Sequence, residues 1–149
     1  MTLHPITDEG LTRVLACLTP EDRAELDAAD LGQSPHEVFS AGWRESTVSG
    51  LVRLDGQPVA IFGCVPNAGF GVPWMVATPA FRSQPRQAMA VSRQGMEQMQ
   101  QAFPVLRNWV HAGHTYALRW LPRLGFKIGA ARVGPGGAFR LFEWSATHV

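Results

Sequence analysis

From Pro79 to Phe103 the chain reads PAFRSQPRQAMAVSRQGMEQMQQAF, and this stretch constrains the fold more than any other. It follows the apolar run Val72-Pro73-Trp74-Met75-Val76-Ala77, which reads as a buried strand. Met89, Ser92, Met96, Met99 and Phe103 then recur at spacings of three and four, so they share one helical face. Ser83 is the expected N-cap, and Pro85 suits the first turn, where a missing N–H costs nothing. A strand that runs into a helix N-terminus is an anion site in the making.

The flanking sequence limits what can surround this element. A chain of 149 residues, 46% hydrophobic and 17% charged, suits one globular domain over residues 1–149. A net charge of +1 supplies no basic field for nucleic acid. Cys17 and Cys64 sit in apolar sequence without ligand spacing and read as reduced core residues. Neither a basic-then-apolar leader nor an apolar run near 18 residues occurs, so the expectation is no signal peptide and no membrane span.

The first third is mainly helical. After a short strand candidate at Thr2–Thr7, Asp8 looks like an N-cap, Thr19-Pro20 restarts a helix that stops at Gly32, and Ser34-Pro35 opens a third. The middle switches to strands: Thr47–Leu54, the turn dipeptide Asp55-Gly56, the apolar run Pro58–Val65, a turn at Pro66–Gly69, and Phe70–Thr78. After the long helix come a strand at Val105–Ala112, a helix at His114–Leu124 ended by Gly125, a strand at Phe126–Val133, a Gly-rich loop and a last strand at Ala138–Ala146. This order predicts an α/β fold with a mixed sheet and helices packed on it.

Two motifs carry a resemblance. Pro79-x-x-Arg82-x-x-x-x-x-Ala88 is similar to P-x-x-R-x-x-G-x-G, the loop between the fourth strand and third helix of the GNAT superfamily of acetyl-CoA-dependent N-acetyltransferases. His114-x-x-Ala117-x-x-Trp120-Leu121-x-x-x-Gly125-Phe126 is similar to that superfamily's N-x-x-A-x-x-L-Y-x-x-x-G-F, with His114 at the Asn position and Leu121 at the Tyr position. The resemblance implies a mainly antiparallel, GNAT-like sheet flanked by helices. It also implies that any acetyl-CoA would meet Val76, Ala77, Thr78, Arg82, Ser83, Gln84, Arg86, Gln87, Ala88, Ala117 and Trp120. From Val105 onward, and above all in Gly137–Trp144 (GAFRLFEW), the chain also resembles GNAT-like internal virion proteins of short-tailed phages. That likeness implies a place in the host cytoplasm or the virion, with other phage particle proteins or further copies of the chain as partners.

Within the resemblance, the chemistry is depleted. The two glycine positions of the pyrophosphate loop hold Pro85, which has no N–H, and Gln87, whose side chain intrudes. One lost N–H to a charged acceptor costs on the order of 1.5–3 kcal/mol, or roughly tenfold to a hundredfold in affinity. Arg82 and Arg86 would offset this as phosphate ligands; the plainer reading is a pair of solvated arginines at a helix start. Leu121 cannot donate the proton that the superfamily's Tyr donates, and Tyr116 lies about 140° away round the helix. The strands from Pro58 to Thr78 contain no Asp, Glu or His, which leaves His111 and His114 as candidate bases, each more simply read as a hydrogen-bonded or half-exposed histidine. No metal set is expected. The sequence-level expectation is therefore a phage structural or assembly protein on a GNAT-like domain, with no cofactor. The alternative is an active N-acetyltransferase using acetyl-CoA.

Overall fold

The computed structural model describes residues 1–146. Its seven-stranded sheet runs β1-β2-β3-β4-β5-β7-β6. The strands are β1 (Thr2–His4), β2 (Val48–Leu54), β3 (Gln57–Asn67), β4 (Phe70–Ala77), β5 (Val105–His111), β6 (Lys127–Val133) and β7 (Phe139–Ser145). All neighbours are antiparallel except β4 and β5. The helices are α1 (Asp8–Ala16), α2 (Pro20–Ala29), α3 (Pro35–Glu45), α4 (Pro79–Arg82), α5 (Pro85–Ala102) and α6 (Thr115–Arg123). Among the described residues, no helix is long and apolar enough to cross a membrane.

Local chemistry explains the element boundaries. Thr7, Thr19 and Ser34 each accept a hydrogen bond from the backbone N–H three residues on and so start α1, α2 and α3. The cap of α1 is thus Thr7 rather than Asp8, and β1 ends at His4 because Pro5 cannot continue a ladder. Asp55-Gly56 and Ala68-Gly69 both have positive φ at the two central positions, the geometry that matches strand twist in a two-residue hairpin. Pro66 and Asn67, expected in the second turn, belong to β3 instead.

The expected long helical element is two helices. Thr78 starts α4, Ser83 adopts helical angles at its end and donates to Ala80 O, and Gln84 precedes α5 without a side-chain cap. Ser83 is therefore the C-cap of one helix rather than the N-cap of the next. Pro85 does occupy the first turn of α5. Its buried face is wider than the Met pattern alone, adding Ala88, Val91 and Gly95.

Each face of the sheet has its own core. Leu11, Val14, Phe39, Leu51, Ile61 and Val76 pack under α1 and α3. Phe62, Phe81, Met96, Leu106, Trp120 and Phe142 pack under α4, α5 and α6. β3 is buried from Pro58 to Cys64 because it serves both cores, as its unbroken apolar run requires. Cys64 is in the core, where burial pushes its thiol up to about 12, whereas Cys17 is exposed at the end of α1, not buried as expected.

Candidate functional site

β4 and β5 run parallel but pair only at Gly71 and Leu106; beyond that point they diverge. Pro73 explains where. Its carbonyl points toward β5, and within a strand the N–H of the same residue points the same way, so β4 has no donor to give there. Asn108 of β5 fills the gap: its Nδ2 donates to Pro73 O at 2.7 Å, and its Oδ1 accepts from Trp109 N at 2.7 Å. One side-chain amide thus satisfies an edge group on each strand and holds them apart. Alternation sends the N–H and C=O of Met75 and Ala77 into the same cleft.

α2 closes the mouth of this cleft with polar bonds. Ala77 N donates to Asp22 Oδ2 at 2.8 Å, and Thr19 N donates to Ala77 O at 3.0 Å. His111 N, on β5, donates to Glu25 Oε2 at 3.0 Å. The inward carboxylates missing from β3 and β4 are therefore supplied by α2. No local signal marks them; the contacts span 55 and 86 residues of chain.

His114 is 4% exposed and links this cluster to α6. Its Nδ1 accepts from Ala117 N at 3.1 Å and caps the helix, which leaves Nε2 to donate to Asp22 Oδ1 at 2.7 Å. Burial pushes the imidazole down, but the hydrogen bond to Asp22 and the charges of Glu25 and Asp22 outweigh it and raise its pKa. Burial raises Glu25 above the usual carboxylate range, and the His111 N–H offsets this only in part. His114 is thus hydrogen-bonded at both ring nitrogens, while His111 enters through its backbone N–H. The His111 ring packs edge-on against Phe139.

Arg82 points into the same cluster. Its guanidinium donates to Glu21 Oε2 at 2.8 Å and Thr19 Oγ1 at 3.2 Å and lies 3.9 Å over the Tyr116 ring. The hydrogen bond to its own backbone N–H and then the bond from Arg82 lower the pKa of Glu21. Burial raises the Tyr116 phenol, with Arg82 opposing. Tyr116 also stacks on Trp120. Arg82 is therefore engaged on the α2 side, while Arg86 is exposed at the start of α5.

The other residues of the expected cofactor site divide between backbone and packing roles. Val76 is in the α1/α3 core, and Thr78 donates through both N and Oγ1 to Val59 O. Gln84 O accepts from Ala88 N, Ala88 is fully buried, and the Gln87 amide oxygen accepts from the Met1 amine at 2.5 Å. Behind the cleft lies a mainly apolar cavity of about 600 Å³. It reaches both faces of the sheet through the divergence of β4 and β5, from Leu26 and Phe39 on one side to Met96 and Leu121 on the other. Among the described residues, no three His, Cys, Asp or Glu side chains are grouped to hold a metal ion.

A seven-stranded sheet opened between a parallel β4 and β5, with a strand-to-helix loop at the opening, defines the acyl-CoA N-acyltransferase (GNAT) fold. Solved structures agree. The ribosomal-protein-S18-alanine N-acetyltransferase of Escherichia coli superimposes with a TM-score of 0.67 at 14% identity over 99% of this chain and 95% of that one. Aminoglycoside 6'-acetyltransferase type Ii gives 0.72 at 12% identity over 100% and 99%. A Bacillus subtilis acetyltransferase in complex with CoA gives 0.65 at 8% over 97% and 96%. No protein-family model and no curated protein matches the sequence. The chain therefore has the acyl-CoA N-acyltransferase fold.

Proposed function

We propose that this chain is a single-domain, non-catalytic acyltransferase-like protein that serves as a structural or assembly component of a phage particle. The observation that carries the non-catalytic part is the occupation of the cleft by the chain's own groups. Asp22, Glu25 and Asn108 take the N–H groups of Ala77, His111 and Trp109. An extended cofactor with amides along its length, such as coenzyme A, would compete with them for those strand edges. Pro85 removes a donor at the α5 N-terminus, and Arg82 is committed to Glu21 and Thr19. The phage part is supported by the resemblance of the chain from Val105 onward.

Calorimetric titration with acetyl-CoA tests the first part. The expected result is neither heat nor thermal shift up to millimolar cofactor; binding in the micromolar range overturns it. Mass spectrometry of mature particles tests the second. Absence from particles, together with no co-purifying particle protein, overturns it.

One observation favours a second reading, an active acetyl-CoA-dependent N-acetyltransferase. The Asp22–His114 pair and the raised carboxyl of Glu25 form an acid–base set at the cleft mouth. That reading requires α2 to shift when cofactor enters. Release of free thiol from acetyl-CoA with an amine acceptor, lost on Glu25→Gln, would establish it in place of the first.

A further inference from the structure

We infer that this chain associates head to tail with further copies of itself, the face formed by α1, α2 and α3 of one copy docking on the face formed by α5 and α6 of the next. The inference stands apart from cofactor binding and from any place in a particle. Three observations carry it.

The first is a division of charge that the net value of +1 conceals. Residues 1–78 hold ten of the twelve carboxylates and four of the thirteen cations. Residues 79–149 hold the other nine cations and, of the carboxylates, only Glu97 and Glu143. The two parts therefore carry formal charges of −6 and +7. An asymmetry of this size points to a charged partner.

The second is where the fold puts the two signs. α1 and α3 cover one face of the sheet, joined there by Leu26 of α2, while α5 and α6 cover the opposite face. On the first face Asp8, Asp27, Asp30, Glu37 and Glu45 are exposed. On the second, Arg86 and Arg93 lie seven apart on α5, and Arg119 and Arg123 lie four apart on α6, so each pair shares one exposed stripe. Among the described residues, none of these nine side chains forms an ion pair. Glu97 is the one carboxylate on α5 or α6. The molecule is thus polarised across its sheet, and each face is complementary to the other face of a second copy.

The third is what the basic face lacks. Among the described residues the exposed large apolar side chains are Leu31, Trp109 and Val133, and none of them lies on α5 or α6. A nucleic acid strand would find no exposed aromatic platform there, and a bilayer no apolar anchor. A second copy brings the opposite charge, and the near-neutral whole adds no long-range repulsion between copies. A standard interface takes about 800 Å² per partner, roughly a tenth of the 7985 Å² the chain exposes, which leaves room for a joint on each side. Exposed charge pairs contribute little singly, so the joint is weak and salt-dependent. Its two surfaces differ, so repetition makes a ring or an open chain rather than a closed pair.

The test is sedimentation of the purified protein in about 10 mM and about 1 M sodium chloride, between which the screening length falls from about 30 Å to about 3 Å. At low salt the average mass should rise with protein concentration and pass that of a dimer; at high salt it should fall to the monomer. Arg93→Glu with Arg119→Glu, and Asp27→Lys with Glu45→Lys, should each give monomers at low salt, and an equimolar mixture of the two variants should associate again. Circular dichroism checks that both are folded. Should a reversal fail to fold, Arg93→Gln with Arg119→Gln, or Asp27→Asn with Glu45→Gln, should weaken association roughly tenfold. A wild-type protein that stays monomeric at low salt, whether or not it takes up an added DNA duplex, overturns the assignment. So does association that survives the high salt, a folded reversal variant that associates like wild type, or a mixture of the two that stays monomeric.

Discussion

Asn108 Nδ2 lies 2.7 Å from the carbonyl oxygen of Pro73, and at this bond β4 and β5 stop behaving as neighbours in a sheet. A proline that cannot donate opens the pair, and an asparagine that can both donate and accept closes the account of the freed groups. Asn108→Ala leaves Pro73 O and Trp109 N without their partners. The expected loss is about 1–3 kcal/mol of stability by urea denaturation. Asn108→Asp turns a carboxylate oxygen toward Pro73 O and should cost at least as much. An unchanged midpoint in both variants would mean that solvent serves these groups equally well.

His114 should titrate above the ordinary histidine range, and Asp22→Asn should bring it down, because Asp22 supplies the hydrogen bond that raises it. A raised folded pKa adds stability that is full below the unfolded value near 6.5 and is lost as pH rises through the folded value. NMR of the imidazole carbons reads the midpoint directly. A titration that Asp22→Asn does not move would contradict the pairing.

Glu25 runs by the same sign. Burial raises its carboxyl, so its protonated form favours folding at low pH, and its charge works against folding once the pH passes the folded value. Glu25→Gln keeps an oxygen for His111 N–H. It should therefore raise Tm at pH 7–8, with the gain shrinking toward pH 4. A gain independent of pH would assign the effect to something other than charge.

Ala68 holds a positive φ of 47° in the β3–β4 turn, a conformation that costs an alanine about 1 kcal/mol. Ala68→Gly or Ala68→Asn should stabilise the protein by about 0.5–1 kcal/mol, read from the chemical midpoint. A loss of stability in both would show that the side chain at this turn matters more than its backbone.

The two thiols should separate sharply. Exposed Cys17 should react with a thiol reagent at pH 8 in the native protein, while Cys64, buried and pushed up to about 12, should react only after denaturation. Two equivalents released at equal rates from native protein would refute the burial of Cys64.

The fold was readable because its determinants are local. The apolar run Pro58–Val65 could only be a central strand, Asp55-Gly56 could only be a tight turn, and the Met spacing could only be a helix face. Where local signals compete, the sequence misleads. Ser83 looks like a cap, but Thr78-Pro79 nucleates a helical turn first and absorbs it. Cys17 follows an apolar helix face, yet falls one residue beyond it on the solvent side. The site was harder. Asp22 meets His114 across 92 residues of chain, Glu25 meets His111 across 86, and Glu21 reaches Arg82 across 61. Nothing in the spacing of acidic residues on α2 distinguishes a solvated helix from one that supplies carboxylates to a strand edge.

α2 itself has no fully buried residue, and its inward Asp22, Glu25 and Leu26 are half-buried, although it carries most of the polar bonds at the cleft. Such bonds contribute about 1 kcal/mol each, against 1.5–3 kcal/mol for a large apolar side chain taken from water. This helix should therefore exchange its amide hydrogens long before the sheet does, by a local unfolding that leaves both cores intact. Entry to the interior is then a folding equilibrium of ten residues, tunable by salt and by any ion that competes for Asp22 or Glu25.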